Sequence, residues 1–347
     1  MSRPGPLTGK AAAPAGGDLI QPFLIEGTGL RGRLVRLGAS VETILGAHAY
    51  PAPAARLLGE ALVLAAALAG ALKYDGVFTL QAKGDGPVSL LVADVTSAGD
   101  LRGYAQVDAA RLAGTLGGLG EATLPRLMGA GHLAFTVDQG AETERYQGIV
   151  ALDGASLADC IHHYFRQSDQ YTAALKVAAA EVPGGDGGTR WRAGAITLQR
   201  LPDSGRPGSG LSGFGAGLSG LDDAAETAED GWRRALALMG SVRSDELLDP
   251  TLDPDGLLWR LFHEDGVRVF APQALRARCR CSDRRVETML RALGPADLEE
   301  YMIDGRVVVT CQFCNEGRSF DRAALDRLGQ PETRSPEAPC PSPAAPS

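Results

Sequence analysis

The cysteine pattern near the C-terminus is the feature that most constrains this chain. Four of the six cysteines lie in two close pairs, Cys279-Arg280-Cys281 and Cys311-Gln312-Phe313-Cys314, with twenty-nine residues between them. Two such pairs, brought together by folding, supply the four thiolates of a tetrahedral structural zinc site. The first pair is C-x-C, so its side chains point the same way only where the backbone is extended. The pattern predicts a small C-terminal zinc module.

Five arginines near the first pair favour a reactive as well as a structural interpretation. Thiolates that hold a metal are also the species that oxidants attack. Neighbouring guanidinium groups offset the formal charge of about minus two on a tetrathiolate zinc centre. On spacing alone, a purely structural zinc module stays open. The arginines are Arg276, Arg278, Arg280, Arg284 and Arg285.

Composition and charge narrow the class of protein. The 347 residues are 44% hydrophobic, which is ample for a buried core. The longest apolar run, Ala61 to Leu72, is too short for a bilayer, and residues 1–18 lack the apolar region of an export signal. We therefore expect a cytoplasmic protein with no membrane partner, in a compartment that favours thiols over structural disulfides.

The local charge balance argues against nucleic acid as a partner. The net charge of the chain is −8, and residues 271–330 contain ten arginines, no lysine and nine acidic residues. Zinc modules that bind nucleic acid normally show a strong basic excess. This block has none, so we expect no nucleic-acid partner.

The N-terminal region predicts an α+β domain, a mixed sheet and helix core. A buried helix is expected over 53–73, followed by a change to period two and tight turns, which indicate an antiparallel meander. A hairpin, a second helix and two further strands should complete the sheet. The predicted strands are Val77–Lys83, Val88–Val95, Leu101–Val107, His132–Val137, Arg145–Val150, Ala173–Ala180 and Trp191–Leu201.

The predicted helix over 157–167 contains a cysteine and two histidines, which invite a metal or catalytic interpretation. Cys160 is followed by His162 and His163. Adjacent histidines on a helix point about 100° apart and cannot easily face one site. Structural packing is favoured here, with Cys160 as a small buried apolar residue.

A glycine- and serine-rich segment at 203–222 predicts a flexible linker. Its two G-x-G-x-x-G matches lack the preceding strand and following helix of a dinucleotide site. Residues 223–270 predict amphipathic helices that are too short to be stable alone, so they must bury their apolar faces on a neighbouring domain. The expected organisation is a flexible leader at 1–20, the α+β core at 21–202, the flexible linker at 203–222, a metastable helical linker at 223–270, a zinc-binding domain at 271–330, and a disordered tail at 331–347 that contains Cys340.

Five stretches outside the cysteine pairs are distinctive: GDGPVSLLVADVTSAGDLRGYA at 84–105, ERYQGIVAL at 144–152, HYFRQSDQ at 163–170, DELLDP at 245–250 and LLWRLFHEDGVRVF at 257–270. Together with the C-x-C and C-x-x-C cysteines, they resemble the redox-regulated chaperones called the 33 kDa heat shock proteins, or 33 kDa chaperonins. The resemblance runs from about Leu24 to Leu328, and the cysteines are its most specific part. The chain departs from the family in having Asp169 where glutamate is more frequent, and in its longer glycine-rich insertion and terminal extensions.

The resemblance implies a holdase that works without ATP and is not an enzyme. It implies one zinc per chain in the reduced form, bound by Cys279, Cys281, Cys311 and Cys314. Oxidation is expected to pair Cys279 with Cys281 and Cys311 with Cys314, and to release the metal. The linker would then loosen and bind unfolding client proteins. The same resemblance implies a monomer when reduced and a homodimer when oxidised.

Two other classes of function compete with the chaperone. One is a constitutive zinc-ribbon adaptor that binds nucleic acid or protein; the other is a thiol-disulfide oxidoreductase that uses the second cysteine pair. A redox C-x-x-C normally opens a helix after a strand in a thioredoxin-like unit, and no such unit is visible around Cys311. The sequence also contains no phosphate-binding G-x-x-x-x-G-K-[ST] motif.

Overall fold

The computed structural model describes residues 17–117, 122–140, 146–167, 172–200 and 219–328. The chain divides into two compact units, Met1–Cys279 and Arg280–Ser347. The described strands are β1 (Leu19–Ile25), β2 (Leu30–Leu37), β3 (Val77–Gly84), β4 (Val88–Thr96), β5 (Asp100–Val107), β6 (Gly131–Asp138), β7 (Tyr146–Ala151), β8 (Thr172–Pro183), β9 (Thr189–Arg200), β10 (Val267–Val269), β11 (Gln273–Ala274), β12 (Arg276–Ala277), β13 (Arg306–Thr310) and β14 (Gly317–Asp321). The helices are α1 (Ala39–Gly46), α2 (Ala52–Ala69), α3 (Ala109–Leu116), α4 (Leu124–Met128), α5 (Leu157–Gln167), α6 (Ser219–Gly240), α7 (Ser244–Leu248), α8 (Pro254–Phe262), α9 (Asp283–Ala292), α10 (Pro295–Glu300) and α11 (Arg322–Leu328).

The first unit is built from two sheets with helix α2 between them. One sheet has the order β10-β1-β2-β9-β8, with β11 also paired to β1; the other has the order β12-β5-β4-β3-β6-β7. Helix α2 is apolar on nearly every face, and Leu58, Leu62 and Leu64 are fully buried. A helix that is hydrophobic all round needs cover on all sides. Strands of both sheets pack against α2 and provide that cover.

The α+β class is confirmed, whereas the expectation of a single N-terminal sheet is wrong. The predicted meander is β3-β4-β5, and β6-β7 is the predicted hairpin beside it. Strands β8 and β9 do not complete this sheet, because β9 pairs with β2 in the other one. The helix predicted over 53–73 ends at Ala69, where Gly70 closes its last turn.

Helix α2 also passes a test of length and composition for a membrane span. Its 18-residue window is 72% buried inside the fold. That burial is the pattern of a core helix in a globular unit, in agreement with the sequence expectation for this segment.

Helices α6, α7 and α8, here called the linker helices, cover the outer face of the first sheet. Trp232, Leu247, Leu258 and Phe262 are buried there, and the Phe262 ring stacks on Phe23 of β1 with 5.6 Å between centroids. Helix α6 begins at Ser219, inside the segment 203–222 that composition marks as flexible; residues 201–218 lie outside the described part of the chain.

Residues 267–278, here called the strap, lead from the last linker helix to the first cysteine pair. Strand β10 is antiparallel to β1, with Val269 opposite Phe23, and β11 continues along β1. Strand β12 then pairs in parallel with β5 of the other sheet. One short segment therefore joins both sheets before it reaches Cys279.

The second unit is small and has little core of its own. The β13-β14 hairpin packs with α9 and α11 around three buried residues, Leu290, Val307 and Leu325. A module of this size seldom supplies enough apolar burial to fold unaided, so a bound metal or cross-link normally adds the missing stability.

Candidate metal centre

The second cysteine pair lies in the loop of the β13-β14 hairpin. The amide of Asn315 donates to the carbonyl of Cys311 at 2.8 Å, and the amide of Cys311 donates to the carbonyl of Glu316 at 3.0 Å. Asn315 has φ of 57°, a left-handed conformation that asparagine tolerates better than most residues. The tight turn holds Cys311 and Cys314 on the same side of the loop.

The first cysteine pair is held between the strap and helix α9. On one side, the amide of Arg278 donates to the carbonyl of Leu101 at 2.9 Å. On the other, the Ser282 hydroxyl caps α9 by accepting from the amide of Arg285 at 3.3 Å. Cys279 and Cys281 therefore occupy a short non-helical stretch whose two ends are both fixed.

The four predicted cysteines converge on one point. The Sγ atoms of Cys279, Cys281, Cys311 and Cys314 all lie within 4.8 Å of one another, and those of Cys281 and Cys314 are 3.5 Å apart. Zn–S bonds of about 2.3 Å in a tetrahedron place sulfurs about 3.8 Å apart. All four residues are half-buried. Four converging sulfurs with no oxygen or nitrogen ligand among them suit a structural zinc ion.

Arg318 on β14, which the sequence analysis did not single out, places a cation at the cluster. Its Nη2 donates to Sγ of Cys281 at 3.6 Å, while its Nε donates to Asp283 Oδ1 at 2.6 Å. The Arg318 side chain is only 17% exposed. Hydrogen bonds to Asp283 and then to Cys281 raise its pKa further above the ordinary arginine value, so the guanidinium stays charged.

The arginines that flank the first pair have other partners in the structure. Arg276 and Arg278 both pair with Asp100 on β5, at 2.5 and 3.7 Å. Arg285 donates to the backbone carbonyl of Arg280 at 2.8 Å. These contacts of three of the five arginines fix the strap and the turn into α9. That the flanking arginines offset the charge on the sulfurs stays a prediction.

Cys160 of α5 belongs to the core of the first unit, as predicted, and His162 is half-buried beside it. Cys160 is fully buried, and burial raises the pKa of its thiol to about 11. His162 Nε2 accepts a hydrogen bond from the amide of Leu175 at 2.9 Å, and burial lowers its pKa. His163 is exposed on another face of the helix. Cys340 and Asp169 lie outside the described residues.

Most of the chain is similar in sequence to known proteins. A family model described as Hsp33 protein matches residues 18–321. The 33 kDa chaperonin of Caulobacter vibrioides (strain NA1000 / CB15N) is 38% identical over 305 residues, which are 88% of this chain and 95% of that protein. The 33 kDa chaperonin of Ectopseudomonas mendocina (strain ymp) is 39% identical over 313 residues, covering 90% of this chain and 95% of its own.

A solved structure shares the fold. The 33 kDa chaperonin from Thermotoga maritima superposes with a TM-score of 0.69, at 23% identity, over 90% of this chain and 97% of that one. The fold, the cysteine cluster and the relatives together define a chaperone rather than an enzyme. The chain belongs to the Hsp33 family.

Proposed function

We propose that this protein is an ATP-independent holdase whose activity is switched by oxidation of a zinc site. In the reduced form, Cys279, Cys281, Cys311 and Cys314 would hold one zinc ion, and the linker helices would stay docked. Oxidation would remove the ligands, release the metal and free the linker, so that apolar surface becomes available to unfolding proteins in the cytoplasm. The reduced chain would be a monomer and the oxidised chain a homodimer.

The geometry of the sulfurs supports the metal part of the proposal. Four thiolates within 4.8 Å of one another would repel strongly without a cation between them. Zinc would cross-link the strap end, Cys279, to the hairpin loop, and such a site contributes on the order of 10 kcal/mol to folding a small module. Only three residues form the buried core of the described part of the second unit. Loss of the metal would therefore unfold much of it.

The redox step balances with a peroxide as the oxidant. Two thiolates give two electrons to the O–O bond of one hydrogen peroxide molecule, two protons are taken up, and the products are one disulfide and two water molecules. Two such reactions consume all four sulfurs. The family resemblance assigns the pairs Cys279 with Cys281 and Cys311 with Cys314. Because the sulfurs of Cys281 and Cys314 are 3.5 Å apart, peptide mapping of the oxidised protein must distinguish these pairs from the cross-linked alternative.

The continuity of the linker helices, the strap and the first cysteine pair is the observation that carries the switch. The strap follows α8 after a short turn at residues 263–266, lies along β1 and β5, and ends one residue before Cys279. The linker helices bury a large apolar set on the same sheet that contains β1. Local unfolding that starts at the cysteines can therefore spread through the strap to the linker helices. Release of these helices would expose an apolar patch of the kind that binds other proteins.

The proposal is tested by measuring zinc and chaperone activity on the same samples. The reduced protein should contain about one zinc per chain and leave a heat-unfolded reporter protein to aggregate. Hydrogen peroxide under mild heat, or hypochlorous acid, should release the zinc and produce suppression of aggregation without ATP. Reduction with zinc present should reverse both changes.

A matched pair of cysteine variants controls this experiment. Cys281→Ser should retain zinc poorly, whereas Cys340→Ser, at a cysteine that belongs to neither sequence pair, should retain it as the parent does. Equal suppression by the reduced and oxidised parent would overturn the switch. Full zinc content in Cys281→Ser, with unchanged resistance to a chelator, would overturn the ligand assignment.

A further inference from the structure

The outer face of the first sheet carries one buried arginine, Arg36 on β2. The neighbours on that face along β2 are Leu30 and Leu34, which pack under the linker helices, whereas Val35 and Leu37 face α2. Only 8% of Arg36 is exposed. Burying a guanidinium group costs free energy unless its N–H donors are hydrogen-bonded. The acceptors of those hydrogen bonds therefore indicate the structural role of Arg36.

Arg36 donates only to backbone carbonyls of the segment that contains and follows helix α7. Its Nη2 donates to the carbonyl of Glu246 at 3.0 Å. Its Nη1 donates to the carbonyl of Asp249 at 2.8 Å and also to that of Leu252. These carbonyls belong to the last turn of α7 and the loop after it, where a helix has no further amide to satisfy them. A cation near the C-terminus of a helix also interacts favourably with the helix dipole.

The residue paired with Arg36 across the sheet is Gly194 on β9. A Cβ placed on Gly194 would lie 2.8 Å from Cγ of Leu247 and 2.8 Å from its carbonyl oxygen. Leu247 is fully buried against this glycine. One cross-strand pair therefore has two roles. Arg36 donates hydrogen bonds to the C-terminal end of α7, and Gly194 leaves space for Leu247.

We infer that the Arg36–Gly194 pair is the latch that holds α7 on the sheet and thereby keeps the linker helices docked. This inference rests on the proposed function for its regulatory meaning. The contact is stable when made, because a buried guanidinium satisfies three backbone carbonyls. It is also reversible, because Arg36 regains water when α7 leaves, and its buried Nε has no hydrogen-bond partner in the docked state. A face of leucines alone would lack this positional specificity.

Helix α6 has a weaker counterpart of the same device. Lys176 on β8 donates from Nζ to the carbonyl of Gly240, the last residue of α6, at 2.8 Å. This contact is exposed to solvent, so water can replace it. The buried contact of Arg36 with the α7 segment should therefore dominate.

Hydrogen exchange of the reduced, zinc-loaded full chain tests the latch. In Arg36→Met, which keeps the side-chain length but no donor, amides of residues 244–252 should exchange about ten-fold faster, because three backbone carbonyls lose their hydrogen-bond donor. Gly194→Ala should act on the same segment through the displaced Leu247. Arg31→Met is the control, since Arg31 is exposed on the same strand. Leu258→Glu, a charge on the buried face of α8, is the positive control for undocking.

The readings separate a latch from a general loss of stability. Faster exchange confined to the linker helices, with β3–β6 unchanged, supports the latch. Unchanged exchange at 244–252 in both Arg36→Met and Gly194→Ala would overturn it, and so would equal acceleration across both sheets. These readings need no oxidant. If exchange responds as stated but oxidation produces no chaperone activity, the latch stands and the proposed function fails.

Discussion

At the scale of single residues, Arg318 adds a contact to the candidate metal centre that the arginines next to the cysteines in sequence did not suggest. Arg318 is the second residue of β14, its side chain is mostly buried, and its guanidinium reaches Cys281 Sγ. Asp283 holds that guanidinium from the start of α9. Partners that hydrogen-bond to metal ligands in this way fix ligand orientation and tune metal affinity.

Replacing Arg318 should weaken metal retention. Arg318→Met removes the donor to Cys281 and leaves the excess negative charge of four thiolates uncompensated, so zinc should pass to a chromophoric chelator about ten-fold faster. Arg327→Met, an exposed arginine on α11, removes the same charge away from the sulfurs and should leave the rate near that of the parent. Equal rates in the two variants would show that Arg318 does not act on the site.

The sequence predicts the cysteine cluster well and its surroundings poorly, for a physical reason. Ligand spacing is a local property, so C-x-C and C-x-x-C can be identified without knowledge of the fold. Arg318 and Arg36 acquire their roles from tertiary contacts with segments far along the chain, and nothing in their local pattern separates them from solvent-exposed arginines. Their partners become visible only when β14 reaches Asp283 and β2 reaches α7.

At the scale of elements, the turn residues explain why the β3-β4-β5 meander was predicted. The second sheet was not predicted, because short strands that pair along its edge give little sequence signal. The meander β3-β4-β5 follows from short loops between strands of period two. Strand β1 contains Pro22, which weakens a strand signal, and β11 and β12 have two residues each. A single sheet was expected because these elements were missed. The apolar circumference of α2, which needs two sheets, was the signal that could have revealed them.

The central helix α2 contains Glu60, a partly buried carboxyl group that should make the free energy of unfolding depend on pH. Burial raises the pKa of Glu60 to about 7, with Arg56 partly opposing the shift. Folding therefore favours the protonated form, and stability falls as the pH rises from the ordinary value near 4.5 through 7. Glu60→Gln should stabilise the reduced protein at pH 8 by on the order of 2 kcal/mol, a gain that disappears below pH 4.5.

Urea unfolding of the parent and Glu60→Gln at several pH values, followed by circular dichroism, measures this difference. Glu300→Gln removes an exposed carboxylate from α10 and serves as the control. A stability difference between Glu60→Gln and the parent that is the same at pH 4 and pH 8 would contradict a shifted pKa at this position.

At the scale of the whole molecule, the strap connects two parts of different stability. The linker helices, with their large apolar interface, precede the strap, and the cysteine-containing unit with its small core follows it. The linker helices are stable only while docked, since α7 and α8 have five and nine residues. The sheets with α2 between them contain the larger core and need no support from the metal. The account therefore requires that loss of zinc changes one part of the molecule and spares the other.

Hydrogen exchange on the parent protein, compared between the reduced zinc form and the oxidised form, tests this claim most directly. Amides of residues 229–270 should be protected in the reduced form and exchange rapidly after oxidation, while those of β3, β4 and β6 stay protected in both. The same samples should show zinc release, so that the metal and the linker are followed together. A linker that remains protected after the zinc has left would contradict the account.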